Sequence, residues 1–224
     1  MPAPVVANYD ARWGYRKFDA RRYEQRRYGG PNRRWNLRLL ERALARALRA
    51  VPAGGLVLDI PCGTGILEPF LRTRGLRVVG SDIGPAMLEV AHERHAALGL
   101  VRADLELPPY RLAAFDAVVC ARFLMHVPAE SRPRILATLA GLSHGPLVAT
   151  VCHPYTWKNF GRAVRRFFGA RPKRSPRLTR AELTAEVAAA GLVLEQVIPV
   201  MPVWSEVWVI VVRKAPGAQN GKDR

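Results

Sequence analysis

The stretch Val57-Leu-Asp-Ile-Pro-Cys-Gly-Thr-Gly65 contains an apolar run that ends in an acid and leads into a Gly-x-Gly turn. The apolar residues predict a strand, and the two glycines allow the backbone to turn from strand into helix while it approaches a ligand closely. The next apolar run ends at a second acid, Asp82, in the position where a carboxylate can meet a ribose. The pattern therefore predicts a binding site for a nucleoside cofactor.

A missing glycine and a nearby carboxylate indicate which nucleoside fits. The dinucleotide fingerprint G-x-G-x-x-G requires a third glycine where this chain has Glu68. Asp59, at the mouth of the turn, would repel a pyrophosphate and attract an ammonium group. S-adenosylmethionine carries an ammonium and a sulfonium but no phosphate, so the pattern favours this cofactor over NAD.

At these residues the chain resembles the class I, Rossmann-like S-adenosylmethionine-dependent methyltransferases, whose first motif is D/E-x-x-x-G-x-G. The segment from Asp59 to Gly65 matches that motif, with Pro61 where many members carry glycine. Three later segments match in the same order, at residues 78–88, 102–108 and 115–127. The resemblance is close from residue 56 to about residue 153 and rests on topology alone elsewhere.

The resemblance implies a set of cofactor-binding residues. Asp82 would hold both ribose hydroxyls through charge-assisted hydrogen bonds, each contributing about 1.5 to 3 kcal/mol, and Asp104 would lie beside the adenine amino group. Arg33 and Arg34 are candidates to hold the cofactor carboxylate. No metal site is predicted. The full cofactor-binding set is Asp59, Pro61, Cys62, Gly63, Gly65, Asp82, Ile83, Ala103, Asp104, Leu105, Cys120 and Arg122.

Apolar runs alternate with helical patterns along the chain, which predicts an α/β fold with a parallel sheet covered on both faces. The resemblance implies seven strands, with the last strand antiparallel to the others. Thr179 and Glu182 form a capping-box pattern that predicts the start of the last helix, and Gly191 predicts its end. The predicted strands are 56–60, 76–81, 101–103, 115–120, 147–152, 192–198 and 203–212, and the other predicted helices are 38–49, 66–73, 85–97 (ended by Gly99) and 129–141.

Charge divides the chain into segments. The formal net charge is +17, and residues 9–36 hold nine Lys or Arg against three acids, while residues 158–180 hold nine against none. We predict a basic, aromatic-rich arm at 1–36, a methyltransferase domain at 37–213 with a basic insert at 158–180, and a disordered tail at 214–224. In the resembling family these two basic segments sit where substrate-recognition elements attach, so we expect them to form a lid over the acceptor site.

Methyl transfer is an in-line displacement in which orientation can contribute about 7 to 11 kcal/mol. A base is needed only for a protonated acceptor, and His153 and His126 follow strands at the edge where one could act. Packing is the alternative for both histidines. Candidate acceptor-binding residues are Tyr155, Trp157 and Arg162.

Three cysteines, Cys62, Cys120 and Cys152, each follow a predicted strand. A thiol near the cofactor could act as a nucleophile or a redox switch, but cysteine is also a small apolar residue that is tolerated at tight turns, and we favour packing. Three cysteines also make structural disulfides unexpected.

The acceptor is predicted from charge and from the resemblance. We expect methylation at oxygen or nitrogen of an anionic small molecule or of a lipid- or glycan-linked acceptor. RNA is the alternative acceptor, because aromatic residues among basic ones could stack on bases, although no known nucleic-acid signature is present. A non-catalytic protein that binds S-adenosylmethionine is a further alternative.

The location of the protein is predicted from its apolar runs. Residues 1–7 lack a charged start followed by an apolar stretch, and no run reaches the roughly 18 apolar residues of a membrane span. We expect a cytoplasmic protein, and the basic segments leave peripheral contact with the inner face of an anionic membrane open.

Overall fold

The computed structural model describes residues 20–21, 30–94, 99–157 and 177–215. Within these ranges the strands are β1 (Leu56–Asp59), β2 (Arg77–Asp82), β3 (Gly99–Arg102), β4 (Ala117–Cys120), β5 (Leu147–Cys152), β6 (Leu192–Pro199) and β7 (Val207–Lys214). The helices are α1 (Pro31–Ala47), α2 (Glu68–Thr73), α3 (Pro85–Arg94), α4 (Arg132–Gly141) and α5 (Arg180–Ala189), with a short 3-10 helix at Leu124–His126.

The strands form one sheet in the order β3-β2-β1-β4-β5-β7-β6. The strands from β1 to β5 pair in parallel, whereas β7 runs antiparallel to both of its neighbours, β5 and β6. The predicted fold class is therefore confirmed, including the antiparallel last strand.

The core has two main layers, one on each face of the sheet. Val57 and Val119 pack with α1 and α2, while Leu58 and Val118 pack with α4 and α5. This alternation follows from the period of two along a strand, which sends neighbouring side chains to opposite faces. Strands buried on both faces explain the nearly continuous apolar runs of the sequence.

Several predicted boundaries differ from those of the structure. Helix α1 begins at Pro31 and not at residue 38. Its first turns are exposed, so the apolar periodicity starts later than the helix does. Gly99 does not end α3 but is the first residue of β3. The last strand starts at Val207 and not at residue 203, because the preceding apolar residues form the β6–β7 turn, and it continues to Lys214.

The predicted capping box at the start of α5 is confirmed. The Glu182 N–H donates to the Thr179 hydroxyl at 3.2 Å, and the Thr179 N–H donates to the Glu182 carboxylate at 2.7 Å. Most of the predicted basic insert, at 158–176, lies outside the described residues, as do residues 1–19, 22–29 and 216–224.

A buried ion pair joins α4 to α5. The Arg132 guanidinium donates to both oxygens of the Glu186 carboxylate, at 2.8 and 2.6 Å, and its third contact is a 2.9 Å hydrogen bond to the Val127 carbonyl. The pair fixes the two helices that cover one face of the sheet. No helix in the described ranges has both the length and the apolar character needed to cross a bilayer.

Candidate functional site

The turn after β1 adopts a backbone that requires glycine. Gly63 and Gly65 have φ values of 57° and 70°, in the left-handed region that side chains rarely adopt. A Cβ placed on Gly63 would meet no atom within 4 Å, so the turn borders open space. The Cys62 N–H donates a 2.8 Å hydrogen bond to the Ser81 carbonyl, which ties the turn to β2.

Asp82, the last residue of β2, also holds this turn. Its carboxylate accepts hydrogen bonds from the Gly63 N–H at 2.9 Å and from the Gly84 N–H at 2.8 Å. Burial raises the pKa of Asp82, and these backbone hydrogen bonds oppose the increase. Since each carboxylate oxygen has two lone pairs, Asp82 retains acceptor capacity for a ligand.

Asp59, the last residue of β1, is buried beside the turn. Within the described ranges its Oδ1 accepts no hydrogen bond, which leaves a buried polar atom in need of a donor. Burial, and secondarily the charge of Asp82, raise the pKa of Asp59 to about 8. A cation bound here would stabilise the ionised carboxylate and satisfy this oxygen.

These groups border a cleft at the carboxyl edge of the sheet. The cleft has about 960 Å³ of empty space, open solvent at its mouth included, which lies within the range of small-molecule sites. Its lining includes three carboxylates and one cation. The lining residues are Leu37, Leu40, Asp59, Ile60, Pro61, Cys62, Gly63, Thr64, Ile66, Leu67, Asp82, Ile83, Met87, Ala103, Asp104, Leu105, Ala121, Arg122 and Phe123.

The structure brings ten of the twelve predicted cofactor-binding residues to this cleft. Gly65 and Cys120 do not line it: Gly65 completes the turn, and Cys120 is fully buried in β4. Arg33 and Arg34 are exposed on α1 and are absent from the lining. Among the described residues, no group of three or more His, Cys, Asp or Glu is placed to hold a metal ion.

Sequence reasoning missed the contribution of α1. Leu37 and Leu40 line the cleft, and their spacing in the sequence is that of the apolar face of a helix. Which surface that face covers is a tertiary property. Ile66 and Leu67, after the glycine turn, and Met87, on α3, also line the cleft. No sequence motif marks these three residues.

Arg122, in the loop after β4, is the cation of the lining. It has a φ of 60°, and its N–H donates to the Thr150 hydroxyl of β5 at 2.5 Å. Thr150 is fully buried, so this hydrogen bond fixes the loop against a rigid strand.

His153 lies after β5 and outside the cleft lining. The residue is 2% exposed, and its ring stacks on Trp208, with 4.3 Å between the ring centroids and 17° between the planes. Nδ1 accepts a 3.1 Å hydrogen bond from the Tyr155 N–H, so a neutral ring carries its proton on Nε2. Burial lowers the pKa of His153, and a hydrogen bond with the Ser205 backbone and the charge of Glu206 oppose this shift.

The remaining candidates for catalysis and acceptor binding also lie away from the cleft lining. His126 is exposed at the end of the 3-10 helix, and Tyr155 and Trp157 are exposed after β5. Arg162 lies outside the described residues.

The cysteines are buried thiols. Burial, and secondarily the charge of Asp59, raise the pKa of both Cys62 and Cys120 well above the usual range. A thiol held in its neutral form is a poor nucleophile. Cys152 is buried as well, with its Sγ 3.9 Å from the Met125 Sδ. These environments favour packing roles over nucleophilic ones.

Comparison with known proteins agrees with this geometry. Residues 57–143 match a family described as "Methyltransferase domain". The fold matches magnesium protoporphyrin IX methyltransferase from Synechocystis PCC 6803, solved with bound SAH, over 92% of this chain and 98% of that one, with a TM-score of 0.68 and 19% identity. Residues 57–143 are a methyltransferase domain, and the chain has the fold of the class I S-adenosylmethionine-dependent methyltransferases.

Sequence relatives match the chain over a shorter region. The ubiquinone biosynthesis O-methyltransferase of Hahella chejuensis is 40% identical over 85 residues, which is 36% of this chain and 36% of that protein. The malonyl-[acyl-carrier protein] O-methyltransferase of Serratia marcescens is 38% identical over 86 residues, which is 38% of this chain and 33% of that protein. The chain thus spans about a third of the length of the curated relatives it matches.

Proposed function

We propose that this protein transfers a methyl group from S-adenosylmethionine to an oxygen or nitrogen of an anionic small molecule, or of a lipid- or glycan-linked acceptor. The observation that carries the proposal is the buried Asp59 carboxylate at the cleft, whose Oδ1 accepts no hydrogen bond among the described residues. The ammonium group of the cofactor would supply the missing donor. A pyrophosphate offers no donor to this oxygen and would be repelled by the ionised carboxylate.

The other residues of the cleft fit the remaining parts of the cofactor. The open space at Gly63 admits a ligand close to the backbone, and Asp82 would accept hydrogen bonds from the ribose hydroxyls. Asp104 would lie toward the adenine, as the family resemblance implies. When bound, S-adenosylmethionine supplies an activated methyl group on its sulfonium. The chain's own residues then have to hold the acceptor in line and exclude water.

An anionic acceptor is favoured by Arg122, the cation of a lining that otherwise carries three carboxylates. Two relatives are named for O-methylation, in ubiquinone biosynthesis and of malonyl-[acyl-carrier protein]. The malonyl group of the second ends in a carboxylate, which is an oxygen acceptor that needs no base. The roles of His126 and His153 as proton acceptors stay predictions. A methyl acceptor that is already ionised would require neither histidine.

The cofactor is tested by calorimetry with S-adenosylmethionine and with NAD. We expect binding of S-adenosylmethionine alone, with a loss of about a hundredfold or more in Asp82→Ala, because two charge-assisted hydrogen bonds disappear. Glu89→Gln, an exposed acid on α3 outside the cleft lining, is the matched control. Wild-type affinity in Asp82→Ala, or tight binding of NAD, would refute the proposal.

The transfer itself is tested by incubating the protein with labelled S-adenosylmethionine and cell extract. Labelled product is then separated into lipid, small-molecule and RNA fractions and identified by mass spectrometry. Label in the small-molecule or lipid fraction supports the proposal, and label confined to RNA supports the alternative acceptor. Cofactor binding with no label in any fraction indicates a non-catalytic binding protein.

A further inference from the structure

An exposed apolar surface lies beside the ends of β5 and β7. We call it the aromatic edge, and its four residues come from the loop after β5 and from the β6–β7 turn. The Trp157 N–H donates a 3.0 Å hydrogen bond to the Val203 carbonyl, which joins the two loops. The four residues, with their exposed fractions, are Tyr155 (52%), Trp157 (66%), Val203 (60%) and Trp204 (60%).

The aromatic edge is on the same side of the sheet as the cleft. Cys152, the last residue of β5, pairs with Val207, the first of β7, so both loops leave the sheet at the carboxyl edge, where the cleft opens. The Met125 Sδ, in the loop after β4, lies 3.9 Å from the Cys152 Sγ. The loop that carries Arg122 therefore leads to the base of the aromatic edge.

The composition of the β6–β7 turn is unusual. Turns are normally built from polar residues and glycine, but residues 200–204 read Val-Met-Pro-Val-Trp. Val203 has a φ of 56°, an outlier for a β-branched residue. Consecutive exposed apolar residues and backbone strain both occur mainly where a surface has a function. These two features point to a contact between this turn and a partner.

We propose that the aromatic edge docks the protein on an anionic lipid bilayer, so that a membrane-borne acceptor can reach the cleft. Tryptophan and tyrosine favour the bilayer interface because their rings are apolar and carry one polar group. The chain has a net charge of +17, which complements anionic headgroups and opposes the association of two copies through this surface. The statement about the acceptor rests on the proposed function, whereas docking itself does not.

Docking is measured by sedimentation of the full-length protein with vesicles of phosphatidylcholine, alone or mixed with phosphatidylglycerol. We expect binding to the mixed vesicles, and a partition coefficient about tenfold or more lower in Trp157→Ser/Trp204→Ser. The matched control is Leu112→Ser, which removes a 77% exposed apolar residue located before β4, at the opposite edge of the sheet. This control should bind like the wild type.

Tryptophan fluorescence on vesicles of brominated lipid reports insertion directly. The wild type should be quenched and the double variant should lose most of that quenching. The inference is wrong if the double variant partitions like the wild type, or if neutral vesicles bind as well as anionic ones. It is also wrong if light scattering shows that the wild type is a dimer and the double variant a monomer, while neither protein binds vesicles.

Calorimetry with S-adenosylmethionine on the same samples separates this inference from the proposed function. Vesicle binding without cofactor binding would support the aromatic edge and refute the proposed function. Cofactor binding without vesicle binding would support the proposed function and refute docking through the aromatic edge.

Discussion

The Gly63 N–H donates a 2.9 Å hydrogen bond to the Asp82 carboxylate, which joins the glycine turn after β1 to the acid at the end of β2. Two motifs that lie 19 residues apart in the sequence therefore form one unit of the cleft. The acid that we assign to the ribose also orders the turn, so changes at either residue should affect both cofactor binding and stability.

Gly63→Ala should lower both the free energy of unfolding and the affinity for S-adenosylmethionine. The φ of 57° costs a residue with a side chain about 1 to 2 kcal/mol, and the added methyl group occupies open space that the cofactor would fill. Gly54→Ala is the control, because Gly54 has a φ of 82° and equally open surroundings but lies outside the cleft lining. Thermal melting should show similar losses for both variants, and calorimetry should show weaker binding for Gly63→Ala alone. Equal affinities would remove Gly63 from the cofactor site.

The contribution of Asp59 to the stability of the ligand-free protein should fall as the pH rises from about 4 to about 8. The pKa of Asp59 is raised from its usual 3.8 to about 8 in the folded protein, so in this window the folded state keeps a proton that the unfolded state releases. This contribution therefore decreases with pH and levels off above the folded pKa. Urea melts across this range should show a flatter profile for Asp59→Asn, and an unchanged slope in that variant would contradict the raised pKa.

The affinity for S-adenosylmethionine should peak near pH 8. Below that pH, binding must displace the proton from Asp59, so affinity rises with pH; above it, the cofactor amine loses its own proton, since α-amino groups titrate near about 7.7 to 8.0. Calorimetry in buffers of different ionisation enthalpy should detect proton release below pH 7. Asp59→Asn should bind more weakly and lack the rising limb. A rising limb that persists in this variant would assign the titration to another group.

The sequence predicted the part of the cleft that local motifs encode. Asp59 and Asp82 end β1 and β2, and Gly63 lies in the turn after β1, so strand length and turn chemistry determine their positions. All three line the cleft. Cys120 was predicted to bind the cofactor, but it ends β4 with its side chain in the core. The next residue, Ala121, lines the cleft instead. Along a strand one residue decides which face a side chain occupies.

The parts that the sequence did not predict depend on tertiary packing. The wall formed by α1 requires the helix to cross the sheet at a particular place, and its apolar pattern does not contain that information. The late start of β7 has a similar cause, because the apolar residues 200–204 resemble a strand but form a turn. Such a run is distinguished from a strand by its exposure, which only the folded chain defines.

Arg132→Met should destabilise the protein by about 3 kcal/mol or more. It leaves the largely buried Glu186 carboxylate and the Val127 carbonyl without the hydrogen bonds that Arg132 donates. The side chains of Arg132 and Glu186 are 4% and 17% exposed. Arg213→Met is the control, since its partner Glu195 is as exposed as Arg213 itself, at 37% each, and such pairs contribute about 0 to 1 kcal/mol. Urea melts should separate the two variants clearly. Calorimetry should find S-adenosylmethionine binding intact in both, because neither pair lines the cleft.

The geometry at His153 predicts that its ring stabilises the junction of β5 and β7. His153→Gln should lower the free energy of unfolding by about 1 to 2 kcal/mol through the loss of stacking on Trp208. His153→Phe preserves the stacked ring and should recover part of that loss, although it leaves the Tyr155 N–H without its acceptor. Urea melts give these differences, and the pH profile of kcat tests the catalytic alternative. If both variants kept near wild-type stability but lost the same ionisation from that profile, His153 would be a proton acceptor in the reaction.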